Sequence, residues 1–529
     1  MKKNIYFIVV LLSTSVLFNG CKDWLNVAPE DTRVTENFYQ TPYQAQQALY
    51  GIYNGLLPLP GYYALFGDLR SDDVYATPND EKVINYITIA SYHSSTLTLA
   101  NVNAFWLDLY EISNRANIFL EKIDAVEFGD YKGGMDAKSV FKGEAHFLRA
   151  YAYLDLVRYF GNVPVVNHSV TAEEALTIKQ STPQQVYDSL IIPDLKEAIR
   201  LLHDTICDYQ GKATASGRAT RMAAKALLAR AYLTMEGFPL YNNEHHTEAI
   251  QLCKDVIASA EAAGRWADNS MDKDGQIWPH IWFSENDNKY HIFEVQFACA
   301  SGMGNTAIAN QLPLSKDVAL TNVTLATTNA YAAYGLMTDL QSEGADVRLD
   351  ATVNNDAVYT PLGALAHGRY ITKFFEHKLK RARYGYSDID GQIVDRTYFP
   401  LNYPLIRLED VMLMLCELEG ETGETRALIN KIRHRAGLSD IENMGGYVWN
   451  DLVHKERRCE LAGEGIRFHD IVRWGEWQQR VVDKFTYHGQ SNPSFLNYIP
   501  SVLPGKYYLP IPDTQMKVKA GLYQQNKDW

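Results

Sequence analysis

Apolar residues at helical spacing dominate the first half of this 529-residue chain. Phe147, Ala150, Tyr151, Leu154 and Val157 recur at positions i, i+3, i+4, i+7 and i+10. Residues at this spacing fall on one face of an α-helix, so the pattern predicts a helix that buries one stripe. A chain built from such segments must pack helix against helix.

Further helices are predicted on both sides of this stripe. Thr182 is placed to cap a helix that Pro183 opens, and Pro193 predicts a kink within it. The strongest helical pattern covers 218–235, where small alanines permit close approach of a neighbouring helix. Helix pairs at comparable spacing from Phe105 to Ala260 are typical of tetratricopeptide-like repeats. The predicted fold is therefore mainly all-α, a helical-repeat scaffold.

The character of the sequence changes between residues 263 and 404. Turn signals such as Asp272-Lys273-Asp274-Gly275 appear there, and Thr, Asn and Gly become frequent. This predicts an irregular insertion of loops, short strands and small helices. Helical patterns return at 408–418, 426–435, 451–463 and 468–479. We therefore predict a single domain over 21–529, with an N-terminal helical part to 262, the insertion at 263–404 and a C-terminal helical part at 405–529.

The N-terminus predicts export and lipid attachment. Lys2 and Lys3 precede a short apolar run, which is typical of a signal peptide over residues 1–20. Gly20 followed by Cys21 favours cleavage before Cys21 and acylation of its side chain, with ordinary secretion as the alternative. Acyl chains on Cys21 would hold the protein on a membrane.

Charge and cysteine content exclude several functions. Acidic residues outnumber basic ones by 63 to 50, which argues against nucleic acid as a partner. The cysteines other than Cys21 have no spacing typical of a disulfide framework or a zinc site, and we expect them to be structural. The Asp272 turn has Ile281 where a calcium loop requires a bidentate glutamate. No protease, phosphate-binding or dinucleotide motif is present, so we expect no cofactor and no metal.

Several segments together resemble one protein family. They include the start at Cys21-Lys22-Asp23-Trp24-Leu25, the Phe105-Trp106 helix and Asp346-Val347-Arg348-Leu349. The most specific part is the C-terminal block, with the runs 429–438 and 456–470 and the later Leu509-Pro510-Ile511-Pro512. In order and spacing these segments resemble the SusD/RagB family of surface glycan-binding lipoproteins.

That resemblance implies a non-enzymatic protein anchored to the outer membrane and facing outward. It implies binding of oligosaccharides or polysaccharide and their delivery to a SusC-like, TonB-dependent transporter. Alternatives are a peptide-binding or structural subunit of such a complex, or a surface glycan-degrading enzyme, which would need two facing carboxylates in a cleft. The charged residues between Glu456 and Arg473 alternate in sign at helical spacing, and we expect them to stabilise helices and tie them together.

Sugar binding requires flat aromatic faces beside planar polar groups. The resemblance places these on an early loop and in the insertion, and two aromatic-rich segments fit. Tyr384 and Tyr386 are a third possibility. The candidate ligand-binding residues are Arg70, Asp72, Tyr75, Tyr86 and Tyr92 in the first segment, and Trp266, Trp278, Trp282 and Tyr290 in the second.

Overall fold

The computed structural model describes residues 38–76, 84–129, 133–214, 217–266, 290–298, 303–305, 331–332, 334–344, 346–352 and 402–529. Cys21, Trp278, Trp282, Tyr384 and Tyr386 lie outside these residues. The predictions made for them therefore stay predictions.

The described chain is mainly helical, which confirms the predicted fold class. The helices before the insertion are α1 Pro42–Asn54, α2 Leu59–Tyr62 (continued by a π-helical turn Tyr63–Asp68), α3 Ile84–Ala90, α4 Ala100–Lys122, α5 Ala137–Phe160, α6 Ala172–Ala175, α7 Pro183–Val186, α8 Ile192–Leu201, α9 Arg221–Glu236 and α10 His246–Ala262. Those within and after it are α11 Tyr334–Gln341, α12 Arg348–Thr352, α13 Leu408–Glu419, α14 Gly423–Arg435, α15 Trp449–Leu461, α16 Arg467–Arg473, α17 Trp477–Gly489 and α18 Asp513–Met516.

Strands are few and short. Those in the described residues form four antiparallel pairs: β1 Val74–Tyr75 with β7 Tyr331–Ala332, β2 Val163–Pro164 with β3 Gln180–Ser181, β4 Ile206–Cys207 with β5 Ala213–Thr214, and β6 His291–Val295 with β8 Tyr403–Arg407. The pairs β1–β7 and β6–β8 connect described parts of the insertion to the two helical blocks. In its described residues, the insertion therefore has the short strands and small helices that its composition predicts.

Local sequence signals explain where several helices begin and bend. Thr182 caps α7 by accepting a hydrogen bond from the Gln185 amide, and the Gln185 side-chain oxygen accepts one from the Thr182 amide. The kink predicted from Pro193 corresponds to a π-helical turn, Tyr187–Ile191, just before it. The segment expected to form one helix over 468–479 instead forms α16 and α17. They separate at Gly475, whose φ of 75° is a left-handed conformation that an α-helix cannot contain.

The main hydrophobic core of the described residues extends from Ala45 to Ile511, and two smaller clusters lie around α16 and α17 and around α11. The α5 stripe is buried in the main core, and Ala226, Ala229 and Leu227 of α9 are fully buried where α9 packs against α8 and α10. The four described cysteines are buried and form no disulfide among the described residues. No helix in the described ranges has both the length and the apolarity needed to cross a bilayer.

The C-terminal block contains a buried network of ion pairs. Arg407 meets Glu464 at 2.8 Å and Glu460 at 3.0 Å, and Arg435 meets Glu460 at 2.7 Å. All of these side chains are buried. The charged residues of α15 and α16, which the sequence predicts to be structural, form ion pairs mainly with residues of other elements. Among their pairs in the described residues, Arg473–Asp470 is the one with helical i,i+3 spacing.

Candidate functional site

A polar pocket of about 290 Å³ lies where the early segment 68–75 meets the C-terminal block and α11. We call it the Tyr487 pocket. Its lining residues come from four elements: Asp72, Gly335, Arg458, Arg480, Asp483, Lys484, Tyr487 and His488. The pocket thus joins the early segment, where the first group of ligand residues was predicted, to part of the insertion.

Most of the lining comes from one face of α17. Arg480, Asp483, Lys484, Tyr487 and His488 stand at i, i+3, i+4, i+7 and i+8, so the helix presents them on the same side. Tyr487 is 39% exposed, so part of this residue contacts solvent. This face offers an aromatic ring together with a guanidinium and a carboxylate.

Three rings in contact form the aromatic part of the site. Tyr75 stacks on His488 with ring centroids 4.0 Å apart, and His488 meets the edge of Tyr487 at 5.3 Å. Burial, together with the charge of Lys484, lowers the pKa of His488 to about 4. The imidazole is therefore neutral at physiological pH, and it packs as a ring rather than as a cation.

Asp72 is held in place by arginines. Arg467 donates to both of its carboxylate oxygens, at 2.8 and 2.9 Å, and Arg458 lies at 3.2 Å. Burial opposes ionisation, but the two guanidinium groups more than offset it and hold the pKa of Asp72 well below its ordinary value. Asp72 is therefore a fixed anion on the pocket wall.

Lys484 ties the main chain of the early segment to α17. Its ammonium donates to the carbonyl oxygens of Ser71 and, at 2.9 Å, Val74. Burial lowers the pKa of Lys484 to about 7, although Asp72 and Asp73 attract its proton. This side chain positions the residues that lead into Tyr75.

Arg70 and Tyr92 lie inside the protein. They are 1% and 0% exposed. The Arg70 guanidinium donates to the Lys506 carbonyl at 2.7 Å and covers the Phe468 ring, while the Tyr92 hydroxyl donates to the Arg70 carbonyl at 2.5 Å. Because their polar groups and ring faces are used within the fold, we assign these two residues to packing and not to ligand contact.

The other described candidates do not line the pocket. Tyr86 and Tyr290 are half-buried and pack against the main core. Trp266 is half-buried as well, and its ring lies beneath the cations of Lys431 and Arg435, at 4.7 and 4.4 Å. Of the predicted ligand residues, Asp72 lines the pocket, and Tyr75 supports it by stacking on His488.

A second pocket, of about 250 Å³, lies elsewhere on the molecule. Its walls are apolar and aromatic, formed by α4, the segment after β2, α6 and the C-terminal tail, with Trp106, Tyr110 and Tyr523 among them. Trp106 is only 3% exposed, and the Tyr110 hydroxyl donates to the Pro164 carbonyl at 2.8 Å. These rings serve mainly in packing, so we favour the Tyr487 pocket as the functional site.

Sequence reasoning missed the α17 face. Charged and aromatic residues recur there at helical intervals, which is a local signal for the face. The pattern predicts one helix over 468–479, however, and only the break at Gly475 makes α17 a separate helix. Nor does any local pattern indicate that this face opposes Asp72, about four hundred residues earlier.

Two family models match the chain in different parts. The SusD family model matches residues 354–529, and a model described as starch-binding associating with outer membrane matches residues 23–233. A SusD-like protein of Bacteroides ovatus is 24% identical, over 88% of this chain and 82% of its own length. Another, from Formosa agariphila, is 24% identical over 96% of this chain and 95% of its own length.

Solved structures show the same fold. A SusD homologue from Bacteroides thetaiotaomicron superimposes with a TM-score of 0.72 at 21% identity, covering 95% of this chain and all of the other. A laminarin-binding SusD-like protein superimposes with a TM-score of 0.68 at 23% identity, covering 93% of this chain and all of the other. At these identities the structures establish the helical architecture, while the ligand has to be inferred from the site.

Proposed function

The chain belongs to the SusD/RagB family, and on that premise we propose that it binds an oligosaccharide or polysaccharide at the Tyr487 pocket and delivers it to a SusC-like, TonB-dependent transporter. It does so as a lipoprotein held by Cys21 on the outer membrane, facing outward. The observation that carries the binding part is the exposed Tyr487 ring on the polar face of α17.

The composition of the pocket fits a sugar. A pyranose ring has an apolar face that stacks on an aromatic ring, and hydroxyl groups that pair with planar polar groups. Tyr487 supplies the ring, while Arg480 and Asp483 supply a donor and an acceptor beside it. An exposed aromatic residue in the site also favours a glycan over the peptide-binding and purely structural alternatives.

The electrostatics of the pocket favour binding over hydrolysis. A glycosidase requires one carboxylic acid that keeps its proton at the working pH, together with a second carboxylate across the bond. Asp72 is paired with Arg458 and Arg467, and its depressed pKa leaves it without a proton to give. Both oxygens of Asp72 accept hydrogen bonds from Arg467, so Asp72 is not available as a nucleophile or base either. Asp483, the other carboxylate of the lining, does not by itself make the pair that a glycosidase needs. We therefore propose a binding protein without catalysis.

The partner and the anchor rest on other support. The transporter follows from the family resemblance alone. The outer membrane is supported by the description of the model that matches residues 23–233. The anchor is supported by Gly20 and Cys21 after a short apolar run. Replacing Cys21 by Ala should release the protein from the membrane fraction, and mass spectrometry of the mature N-terminus should find acyl chains in the wild type only.

The binding proposal is tested by screening the mature protein against soluble polysaccharides, including laminarin, starch, xylan and alginate, followed by calorimetry on oligosaccharides of those that bind. Stacking on an aromatic ring contributes on the order of 1–3 kcal/mol, by analogy with nucleobases. Tyr487→Ala should thus weaken binding about 5- to 150-fold, while Tyr487→Phe should bind nearly normally. Tyr43→Ala is the matched control, because Tyr43 is 53% exposed on α1 and does not line the pocket.

Each negative result would contradict a different part of the proposal. Normal binding by Tyr487→Ala would place the ligand elsewhere, and Trp278→Ala and Trp282→Ala then test the second predicted aromatic segment. Cleavage of a bound glycan by the wild type would contradict the non-enzymatic proposal. A wild type that binds no member of the panel would count against glycan binding itself.

A further inference from the structure

The loop that joins α9 to α10 presents an aromatic ring to solvent on a firmly held backbone. We call residues 237–243 the Tyr241 loop. The Tyr241 amide donates to the Gly237 carbonyl at 2.9 Å, and the Asn242 amide to the Met235 carbonyl at 2.8 Å. The Phe238 amide donates to the Arg473 carbonyl at 2.8 Å, which fixes the loop to the end of α16. The position of Tyr241 is therefore defined by the main chain and not by its own side chain.

Tyr241 has a conformation that side chains rarely adopt. Its φ is 51°, in the left-handed region that favours Gly and Asn. Tyr39 and Tyr92 also have positive φ, but their rings pack into the protein, Tyr39 against the main core and Tyr92 with full burial. Burial of the ring offsets the backbone cost in both cases. Tyr241 is 70% exposed, so its ring gains little from packing.

This combination calls for a role outside the fold. An Asn at position 241 would adopt the same backbone conformation at a lower free-energy cost than Tyr does. Backbone strain that the surrounding structure maintains is often found where a residue contacts a ligand. The strain at Tyr241 is accompanied by exposure of a large flat ring, which suggests that the ring itself is the contacting group.

The surroundings of the ring indicate the class of ligand. Phe238 meets Tyr241 edge-on at 6.1 Å, so one aromatic neighbour supports it. Of the residues that follow in the chain, Asn242 is used within the fold, where its side chain bonds to Gln184 and to the Glu244 amide, while Asn243 and Glu244 are polar and exposed. A protein hot spot is surrounded by contacts that exclude water, whereas a sugar needs a bare ring with amide and carboxylate groups beside it. These neighbours favour a sugar over an apolar protein side chain.

We propose that Tyr241 is a second carbohydrate-binding position, which stacks on a sugar unit of a long glycan. The proposal rests on the proposed function and extends it, since no residue of the Tyr241 loop lines the Tyr487 pocket. Two separate contacts on one polymer raise its apparent affinity, because binding at the first site increases the effective concentration at the second. A short oligosaccharide bound in the pocket gains nothing from Tyr241.

The stability arm of the test compares Tyr241→Asn with Tyr241→Ala. Both variants remove the ring, but only Asn relieves the left-handed backbone. Tyr241→Asn should melt about 1–2 °C above Tyr241→Ala. An equal or lower melting temperature for Tyr241→Asn would remove the premise of strain and overturn the proposal.

The binding arm uses the polysaccharide that binds in the panel above and a trisaccharide of the same sugar. Both variants should bind the polysaccharide about 5- to 10-fold more weakly and the trisaccharide as tightly as the wild type does. Tyr241→Trp should retain polysaccharide binding, and Tyr43→Ala should behave as the wild type.

Unchanged polysaccharide binding by Tyr241→Asn would overturn this inference while leaving the Tyr487 pocket in place. Loss of trisaccharide binding by the same variant would also overturn it, since Tyr241 would then act on the pocket. Failure of the proposed function is distinguishable, because the wild type would then bind no polysaccharide of the panel.

Discussion

The two helical blocks of the molecule differ in how their buried charges are arranged. In the N-terminal block, α5 and α9 are buried mainly through apolar side chains such as Leu154 and Leu227, and buried ion pairs such as Arg149–Asp194 occur singly among them. In the C-terminal block, arginines and carboxylates are buried with equal completeness, and Arg407, Arg435 and Glu460 form part of one network. Apolar packing tolerates small shifts, whereas a buried charge needs its partner at hydrogen-bond distance.

This difference bears on the candidate site. The segment that supplies Asp72 and Tyr75 docks against the charged block, where Asp72 and Asp73 pair with Arg467 and Arg458. A displaced segment would leave buried charges without partners, at a cost of several kcal/mol. The ion pairs thus hold the segment that forms the pocket wall in one position. An apolar contact of similar size would restrict its position less.

The largest expected effect lies in the charged block. Arg407→Met removes a buried cation between Glu460 and Glu464, which leaves excess negative charge inside the protein. The free energy of unfolding should fall by about 4 kcal/mol, as measured by chemical denaturation. Adding Glu464→Gln should recover part of the loss, because it removes one of the stranded charges. A loss below about 1 kcal/mol for Arg407→Met alone would show that the network contributes little.

A substitution in the apolar core of the N-terminal block should lower the free energy of unfolding slightly less. Leu227 is fully buried in α9, so Leu227→Ala creates a cavity that the neighbouring helices fill only in part. The expected loss is about 3 kcal/mol. No second substitution should recover this loss of stability, whereas Glu464→Gln should recover part of the loss caused by Arg407→Met. If Leu227→Ala were neutral, the packing of α9 would be looser than its burial indicates.

Acid should weaken an ion-pair group that joins the two blocks, in which Arg230 comes from α9. Arg230 and Arg457 hold Asp410 at 2.7 and 3.0 Å and, against the opposing effect of burial, lower its pKa to about 2. Because the folded pKa lies below that of the unfolded chain, this stabilisation is complete above about pH 4 and is lost as the pH falls through 2. It amounts to about 2 kcal/mol for Asp410.

Denaturation curves recorded between pH 6 and pH 2 measure this dependence. Asp410→Asn should flatten the acid limb, whereas Leu227→Ala should lower stability by the same amount at every pH. Parallel curves for the wild type and Asp410→Asn would contradict the assignment.

The smallest effect is expected where an ion pair lies at the surface. Lys517 is paired with Asp513 one helical turn away, and its side chain is 74% exposed. Water screens this contact, so Lys517→Ala should change the free energy of unfolding by less than about 0.5 kcal/mol. A larger loss would weaken the distinction between buried and exposed pairs on which the comparison depends.

The parts of the fold that follow from local sequence were predictable. The α5 stripe, the Thr182 cap and the helix pair α9–α10 all depend on residues within a few turns of each other. The pairing of Asp72 with Arg467 depends on residues far apart in the chain, and no local spacing carries that information. For the same reason the sequence offers Arg70 and Tyr92 as candidate ligand residues, whereas the C-terminal block covers them. The identity of the sugar follows from neither the spacing nor the fold.

The docking of the early segment also sets the order in which the molecule can be completed. Asp68, Asp72 and Asp73 find their partners 385 to 397 positions later in the chain. The early segment is synthesised first, and it has no cation to meet until the C-terminal block follows. The wall of the pocket therefore forms last, and a chain interrupted before α15 is a helical body without a binding site.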